Sequence, residues 1–218
     1  MALNINGTTG ISGVDGSVSA PAVTGTDSNT GITFPSADTI KFATGGVERM
    51  SITNSGVSGI TAGITLADQW RLSSGFTGDA DPIVNNWERN DTGWSQLGAG
   101  FSAPSSGIWT FPSTGYYWIR YQANFTWTSS TPFIAIKIQY TANNSSYTVA
   151  GEANTYINNV TDTTYVSTAC DLMLKITDTS NQKIKVSVHR YAGTETFNVV
   201  GDSVNQRTGL TFIRMGDI

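Results

Sequence analysis

Gly115-Tyr116-Tyr117-Trp118-Ile119-Arg120-Tyr121-Gln122-Ala123-Asn124-Phe125-Thr126-Trp127 is the stretch whose pattern decides the fold. Tyr117, Ile119, Tyr121, Ala123, Phe125 and Trp127 fill the odd positions and are apolar, and the even positions from Arg120 onward are polar. A period of two sustained this long marks a strand with one buried face. Tyr116 and Trp118 depart from it, because they are large aromatics on the face that a lone chain would turn to water.

The alternation continues downstream. Ile134, Ile136, Ile138 and Tyr140 share one face, opposite Lys137 and Gln139. Val166, Cys170, Leu172, Leu174 and Ile176 lie opposite Asp171 and Lys175; Ile184, Val186 and Val188 face away from Lys183, Lys185 and Ser187. A last run spans Leu210 to Met215. Turn-forming clusters separate the runs, such as Thr141-Ala142-Asn143-Asn144-Ser145 and Asp178-Thr179-Ser180-Asn181. No comparable window has a helical period. Roughly eight to ten antiparallel strands imply an all-β sandwich or jelly roll.

Upstream the chemistry changes, and the boundary falls between 1–65 and 66–218. Residues 1–65 hold two aromatics, Phe34 and Phe42, whereas Trp70, Trp87, Trp94, Trp109, Trp118 and Trp127 all follow. A core able to fold alone is therefore expected only in 66–218. The first segment repeats a short unit: Thr9-Gly10-Ile11, Thr30-Gly31-Ile32, Ser58-Gly59-Ile60 and Ala62-Gly63-Ile64. Glycine turns between β-branched residues make short strands that cannot bury themselves, so the expectation is a β stalk held by partner chains. A flexible Gly/Ser/Thr linker is the alternative. Ile40 and Phe42, then Gly45-Gly46, then Met50 and Ile52 read as a hairpin with one apolar face, followed by a turn at Asn54-Ser55-Gly56.

Composition narrows the function classes. Charged residues make up 13% of the 218, against about 25% in an average domain. A single Cys excludes an intrachain disulfide framework and zinc knuckles, and a single His excludes a multi-histidine metal site. Net charge −4 argues against nucleic acid as a partner. No apolar run approaches about 18 residues, and no basic patch precedes an apolar stretch at the N-terminus. Neither membrane insertion nor a cleaved signal is expected.

Two resemblances carry the reading further. Phe111-Pro112-Ser113-Thr114-Gly115-Tyr116-Tyr117 resembles the F-x-x-x-G-x-Y signature of complement-type globular heads, which belong with the tumour-necrosis-factor-like trimeric jelly rolls. Thr208-Gly209-Leu210-Thr211-Phe212-Ile213 resembles the closing strand of that family. This resemblance covers 66–218 and implies a homotrimer whose interface includes the outer face of the long strand, with Tyr116, Trp118 and Arg120. The family's calcium ligands find no matching positions. Asp38-Thr39-Ile40-Lys41-Phe42, Gly45-Gly46-Val47-Glu48-Arg49-Met50-Ser51-Ile52 and Asn54-Ser55-Gly56 resemble a repeat of phage fibre proteins, marine phages especially. Met1-Ala2-Leu3-Asn4-Ile5-Asn6-Gly7 is similar to the start of such a fibre. Together they imply a virion location, a trimer, an N-terminal segment bound to phage capsid or tail proteins, and a distal head.

Catalysis is not expected. His189 shares a polar face with Lys183 and Lys185, Cys170 sits on an apolar face, and no G-x-S-x-G elbow occurs. The densest acidic cluster is Asp79, Asp81, Glu88 and Asp91. Asp79, Asp81 and Asp91 are the candidates for Ca2+, the sole cofactor considered, although D-x-D-x-D-G spacing is absent and solvated loop acids are the plainer reading. The sequons at Asn124 and Asn159 are expected by chance in so Asn- and Thr-rich a chain. Tyr116 and Trp118 have a competing reading as a platform for sugar rings. Asn143, Asn144 and Tyr147 form the candidate receptor loop. The expected function is a fibre that adheres to a host-surface glycan. The alternatives are a decoration protein without a receptor and a polysaccharide hydrolase.

Overall fold

A computed structural model describes residues 4–6, 10–12, 15–59, 63–91, 93, 96–127, 131–157, 162–191 and 196–218. Trp94, the Asn159 sequon and parts of the opening motif and of three repeat units lie outside the described residues. No helix occurs among the described residues. The chain divides into two compact units, Met1–Ala62 and Gly63–Ile218.

In the first unit, β1 (Asn4–Asn6) pairs with β2 (Gly10–Ser12), and β3 (Gly16–Ser17) with β4 (Ala20–Pro21). A single five-stranded antiparallel sheet follows, in the order β5 (Val23–Thr24), β6 (Gly31–Thr33), β7 (Ile40–Thr44), β8 (Val47–Thr53) and β9 (Gly56–Ser58). The expected hairpin is β7–β8. Gly45 and Gly46 both have positive φ, 59° and 73°, the requirement of a tight two-residue turn whose twist matches the strands. Phe42 pairs with Met50 and Ile40 with Ile52, so the four share a face, as their spacing predicts.

The second unit is a sandwich of two antiparallel sheets. Its strands are β10 (Leu66–Leu72), β11 (Phe76–Thr77), β12 (Trp87–Arg89), β13 (Ile108–Thr110), β14 (Gly115–Trp127) and β15 (Thr131–Thr141). Then come β16 (Thr148–Ile157), β17 (Thr164–Ile176), β18 (Lys183–Arg190), β19 (Asn198–Val199) and β20 (Gly209–Gly216). In the larger sheet β14 is flanked along its length by β17, and on its other side by β20 and then β19; β10 and β12 continue beyond β20, and β11 pairs β19. The smaller sheet runs β13-β18-β15-β16.

Between the sheets lies the core. Tyr117, Ile119, Tyr121, Ala123 and Phe125 enter it from β14, and Ile134, Ile136, Ile138, Ile184, Val186 and Val188 from the smaller sheet, all without solvent exposure. Gln139 and Ser187, expected on a wet face, are also buried. Residues 80–83 run beside β18, with reciprocal Ala80–Val188 backbone bonds of 3.0 and 2.9 Å. Gln139 Nε2 donates to Asp81 Oδ1 at 2.9 Å and to Ser187 Oγ at 3.1 Å, so this burial carries its own hydrogen bonds.

Candidate functional site

The outer face of the larger sheet follows from the register of β14 with its neighbours. Residues paired directly across a sheet point the same way, so Met173, Trp118, Ile213 and Ala67 form one row, and Asp171, Arg120, Thr211 and Gln69 the next. Tyr116 is 39% exposed and Met173 62%. Lys175 Nζ lies 5.8 Å from the Tyr116 ring centroid, and Arg120 Nη1 reaches Asp171 Oδ2 at 3.5 Å. Solvent normally meets polar groups on such a face, and here it meets an aromatic and thioether patch.

Beyond Trp118 the face turns polar. A groove of about 450 Å3 is lined by Trp118, Arg120, Gln122, Gln69, Asn90 and Gln206, among others. Asn90 Nδ2 donates to Gln206 Oε1 and, at 3.4 Å, to Gln69 Oε1; Gln69 Nε2 donates to Thr211 Oγ1 at 3.2 Å. The three expected residues Tyr116, Trp118 and Arg120 are thus brought together on one face, joined by Met173 and Ile213, which the sequence alone does not connect to them.

Arg71 lies on this same face of β10, two residues on from Gln69, and is buried there under its own partners. Its Nε donates to Glu88 Oε1 at 2.7 Å, its Nη2 to Asp91 Oδ1 at 2.7 Å and its Nη1 to the Val204 carbonyl at 3.0 Å. Asp68, also buried, accepts from Trp70 Nε1, the Phe101 amide and the Arg89 guanidinium. Arg71 does not stand out in a reading based on periodicity alone.

The acidic quartet is not one site. Asp79 Oδ2 faces His189 Nδ1 at 3.0 Å and its Oδ1 accepts the Arg190 amide; Asp81 Oδ1 meets Lys185 Nζ at 2.8 Å; Glu88 and Asp91 both serve Arg71. Strand pairing separates what the sequence clusters. Among the described residues no three His, Cys, Asp or Glu side chains converge as a metal site would require. Burial, the largest influence on Asp81, raises its pKa, but Lys185 and Gln139 outweigh it and hold the carboxyl below the ordinary range. His189 also packs edge-on to Tyr191, with centroids 5.0 Å apart.

The candidate receptor loop is a turn fastened by its own side chains. Asn143 Oδ1 accepts the Ser145 and Ser146 amides at 3.1 and 3.0 Å, and the amide of Asn144, at φ 55°, donates to the Asn181 carbonyl. Lys185 Nζ lies 5.1 Å from the Tyr147 ring centroid. Cys170 is 7% exposed, and burial, helped by Asp171, pushes its thiol up to about 12. Almost no thiolate forms at neutral pH. A maleimide at pH 7 should therefore leave the folded chain unlabelled and modify it after denaturation; rapid labelling of the native protein would contradict this placement.

No family model and no curated protein matches the chain. Among solved structures it is similar to murine APRIL at pH 5.0, with 13% identity, 69% of this chain and 98% of that chain covered, and a TM-score of 0.50. It is similar also to Eiger TNF from S. frugiperda, with 12% identity, 72% and 96% covered, and a TM-score of 0.50. The sandwich is a tumour-necrosis-factor-like jelly roll. At this identity the likeness concerns the fold. The jelly roll of this chain carries the aromatic outer face and the polar groove on its larger sheet.

Proposed function

We propose that the chain is a homotrimeric virion fibre of the phage type, anchored through its N-terminal unit on capsid or tail proteins and presenting its jelly roll to a host-surface glycan. The observation that carries self-association is the apolar row of exposed Met173 and half-buried Trp118 and Ile213, with exposed Tyr116 beside it, on β17, β14 and β20 of the larger sheet. Interfaces favour Trp, Tyr, Met and Arg at their centres. In a threefold ring this face meets a different surface of its neighbour. Exposed Val149 and Tyr156 on β16 of the smaller sheet offer one. The repeat around Gly45-Gly46 and the opening seven residues support the phage reading. Three heads per fibre and many fibres per particle turn weak glycan contacts into firm attachment.

Trp118→Ala tests the reading. The expected result is a loss of trimer of at least tenfold in association constant, unchanged β-sheet circular dichroism, and loss of adhesion of labelled protein to host cells. A trimer that survives while adhesion fails would favour the sugar-platform reading of the same aromatics. Normal phage adsorption by particles lacking the protein, with reduced particle stability, would favour a decoration role instead.

A further inference from the structure

We propose that the end of the smaller sheet around Tyr191 and Phe133 is a binding site for a neutral sugar unit of the host-surface glycan. This rests on the glycan-adhesion reading and names the residues that hold the ligand.

Strand direction separates the two ends of the sandwich. The chain enters at Leu66, which pairs with Arg214 on β20, level with Tyr117 near the start of β14. β14 runs away from that end and β15 returns to it, so the turn at 143–147 that follows β15 lies at the entry end. The start of β15 and the end of β18 lie at the opposite end, where Ile134 pairs with Arg190.

Tyr191 is held there with its ring in place. Its hydroxyl donates to Glu152 Oε1 at 3.0 Å, Lys137 Nζ lies 4.7 Å from the ring centroid, and His189 packs edge-on. The residue is nonetheless 50% exposed. A ring fixed in this way loses little further freedom when a ligand stacks on it. The Tyr191 amide donates to the Phe133 carbonyl at 3.0 Å, beside a bulge where the β15–β16 register shifts between Thr131 and Ile134. Phe133 has φ 52° and is 57% exposed. Among the described residues the other non-glycine positive φ values belong to Asp38, Asn86, Ser106 and Asn144, all polar turn formers. Neither packing nor backbone preference accounts for a phenylalanine at this place, and strain that folding does not repay marks a ligand site.

The surroundings indicate a sugar. On the outer face His189, Ala135 and Asn154 form one row, and Ser187, Lys137 and Glu152 the next. Hydrogen-bonding side chains thus flank the exposed rings, which suits a sugar's CH face and its rim of hydroxyls; the core of a protein interface is more continuously apolar. The charges that touch Tyr191 are paired. Lys137 lies 3.9 Å from Glu152 and His189 3.0 Å from Asp79, while Arg190 pairs with Ile134 on the core-facing side. A charged ligand would have to displace one of these pairs, whereas a neutral one keeps them. Tyr156, farther out on β16, is left to the neighbouring copy.

Saturation-transfer NMR on the full chain tests this. The probes are the methyl glycosides of glucose, galactose, mannose and N-acetylglucosamine, with glucuronic acid and glucosamine as charged comparisons. The native protein should saturate at least one neutral glycoside, and more strongly than either charged sugar. Tyr191→Ala should weaken that binding at least tenfold. Phe133→Gly should weaken it too, while its urea midpoint stays level or rises because the strain is relieved. A glycoside that Tyr191→Ala or Phe133→Gly binds as tightly as the native chain overturns the site and leaves glycan adhesion elsewhere on the chain standing. Binding that only Trp118→Ala abolishes does the same. A charged sugar bound in preference overturns the neutral class. No saturation of any probe overturns both the site and the glycan reading.

Discussion

Asp68→Ala should lower the stability of the jelly roll by about 3–5 kcal/mol, because it strips a buried charge cluster of its centre. The Asp68 carboxylate is fully enclosed and accepts five hydrogen bonds: from the Gln69 amide at 3.0 Å, Trp70 Nε1 at 3.0 Å, the Phe101 amide at 2.6 Å, and Arg89 Nε and Nη2 at 3.0 and 3.2 Å. Alanine leaves an indole N–H and a backbone N–H without acceptors in the interior, each costing about 1–3 kcal/mol. It also leaves the Arg89 guanidinium, stacked 4.8 Å from the Trp70 ring centroid, without its counter-charge. Asp68→Asn keeps the shape but turns an amide N–H2 toward donors, so it should recover little. Urea unfolding of the full chain measures both. A loss below about 1 kcal/mol for alanine would show that the cluster is not the anchor described here.

Trp109→Ala should cost a similar amount, about 3–5 kcal/mol, through packing. Trp109 is completely buried and sits at the centre of an aromatic cluster: its ring lies 5.3 Å from Trp70 and from Trp87, both edge-on, and 5.3 Å from Phe212. Phe101 stacks on Phe212 at 3.9 Å and closes the cluster. Trp109 Nε1 has no hydrogen-bond partner among the described residues. Trp109→Phe therefore forfeits no polar contact and should cost well under half as much as alanine, again read from the urea midpoint. Because Asp68 and Trp109 both hold Trp70, the double variant should lose less than the sum of the two.

How much of this is legible beforehand depends on the distance over which each feature is encoded. The period of two in Gly115–Trp127 places Tyr117 through Phe125 in the core and turns Tyr116 and Trp118 outward, and β14 follows it residue by residue. Gly45-Gly46 predicts the β7–β8 hairpin in the same local way. Pairings remote in sequence are another matter. That Met173 falls beside Trp118, or Ile213 on its other side, is fixed by strand register across the sheet, which no window contains. The acidic residues illustrate the opposite error: Asp79, Asp81, Glu88 and Asp91 are neighbours in sequence, but Lys185, His189 and Arg71 draw them apart. Asp68 left a usable signal, since Leu66, Asp68, Trp70 and Leu72 share a parity and all are buried. An acid at an inward position of an aromatic strand demands buried donors, and Arg89 and Trp70 supply them.

The mass of the intact protein in solution tests the central claim most directly. At micromolar concentration, sedimentation equilibrium of the full 23.2 kDa chain should give three times that mass, stable to dilution over at least tenfold. A particle that stays at the mass of one chain throughout would contradict the trimer, for exposed Tyr116 and Met173 on the larger sheet would then meet water unpartnered.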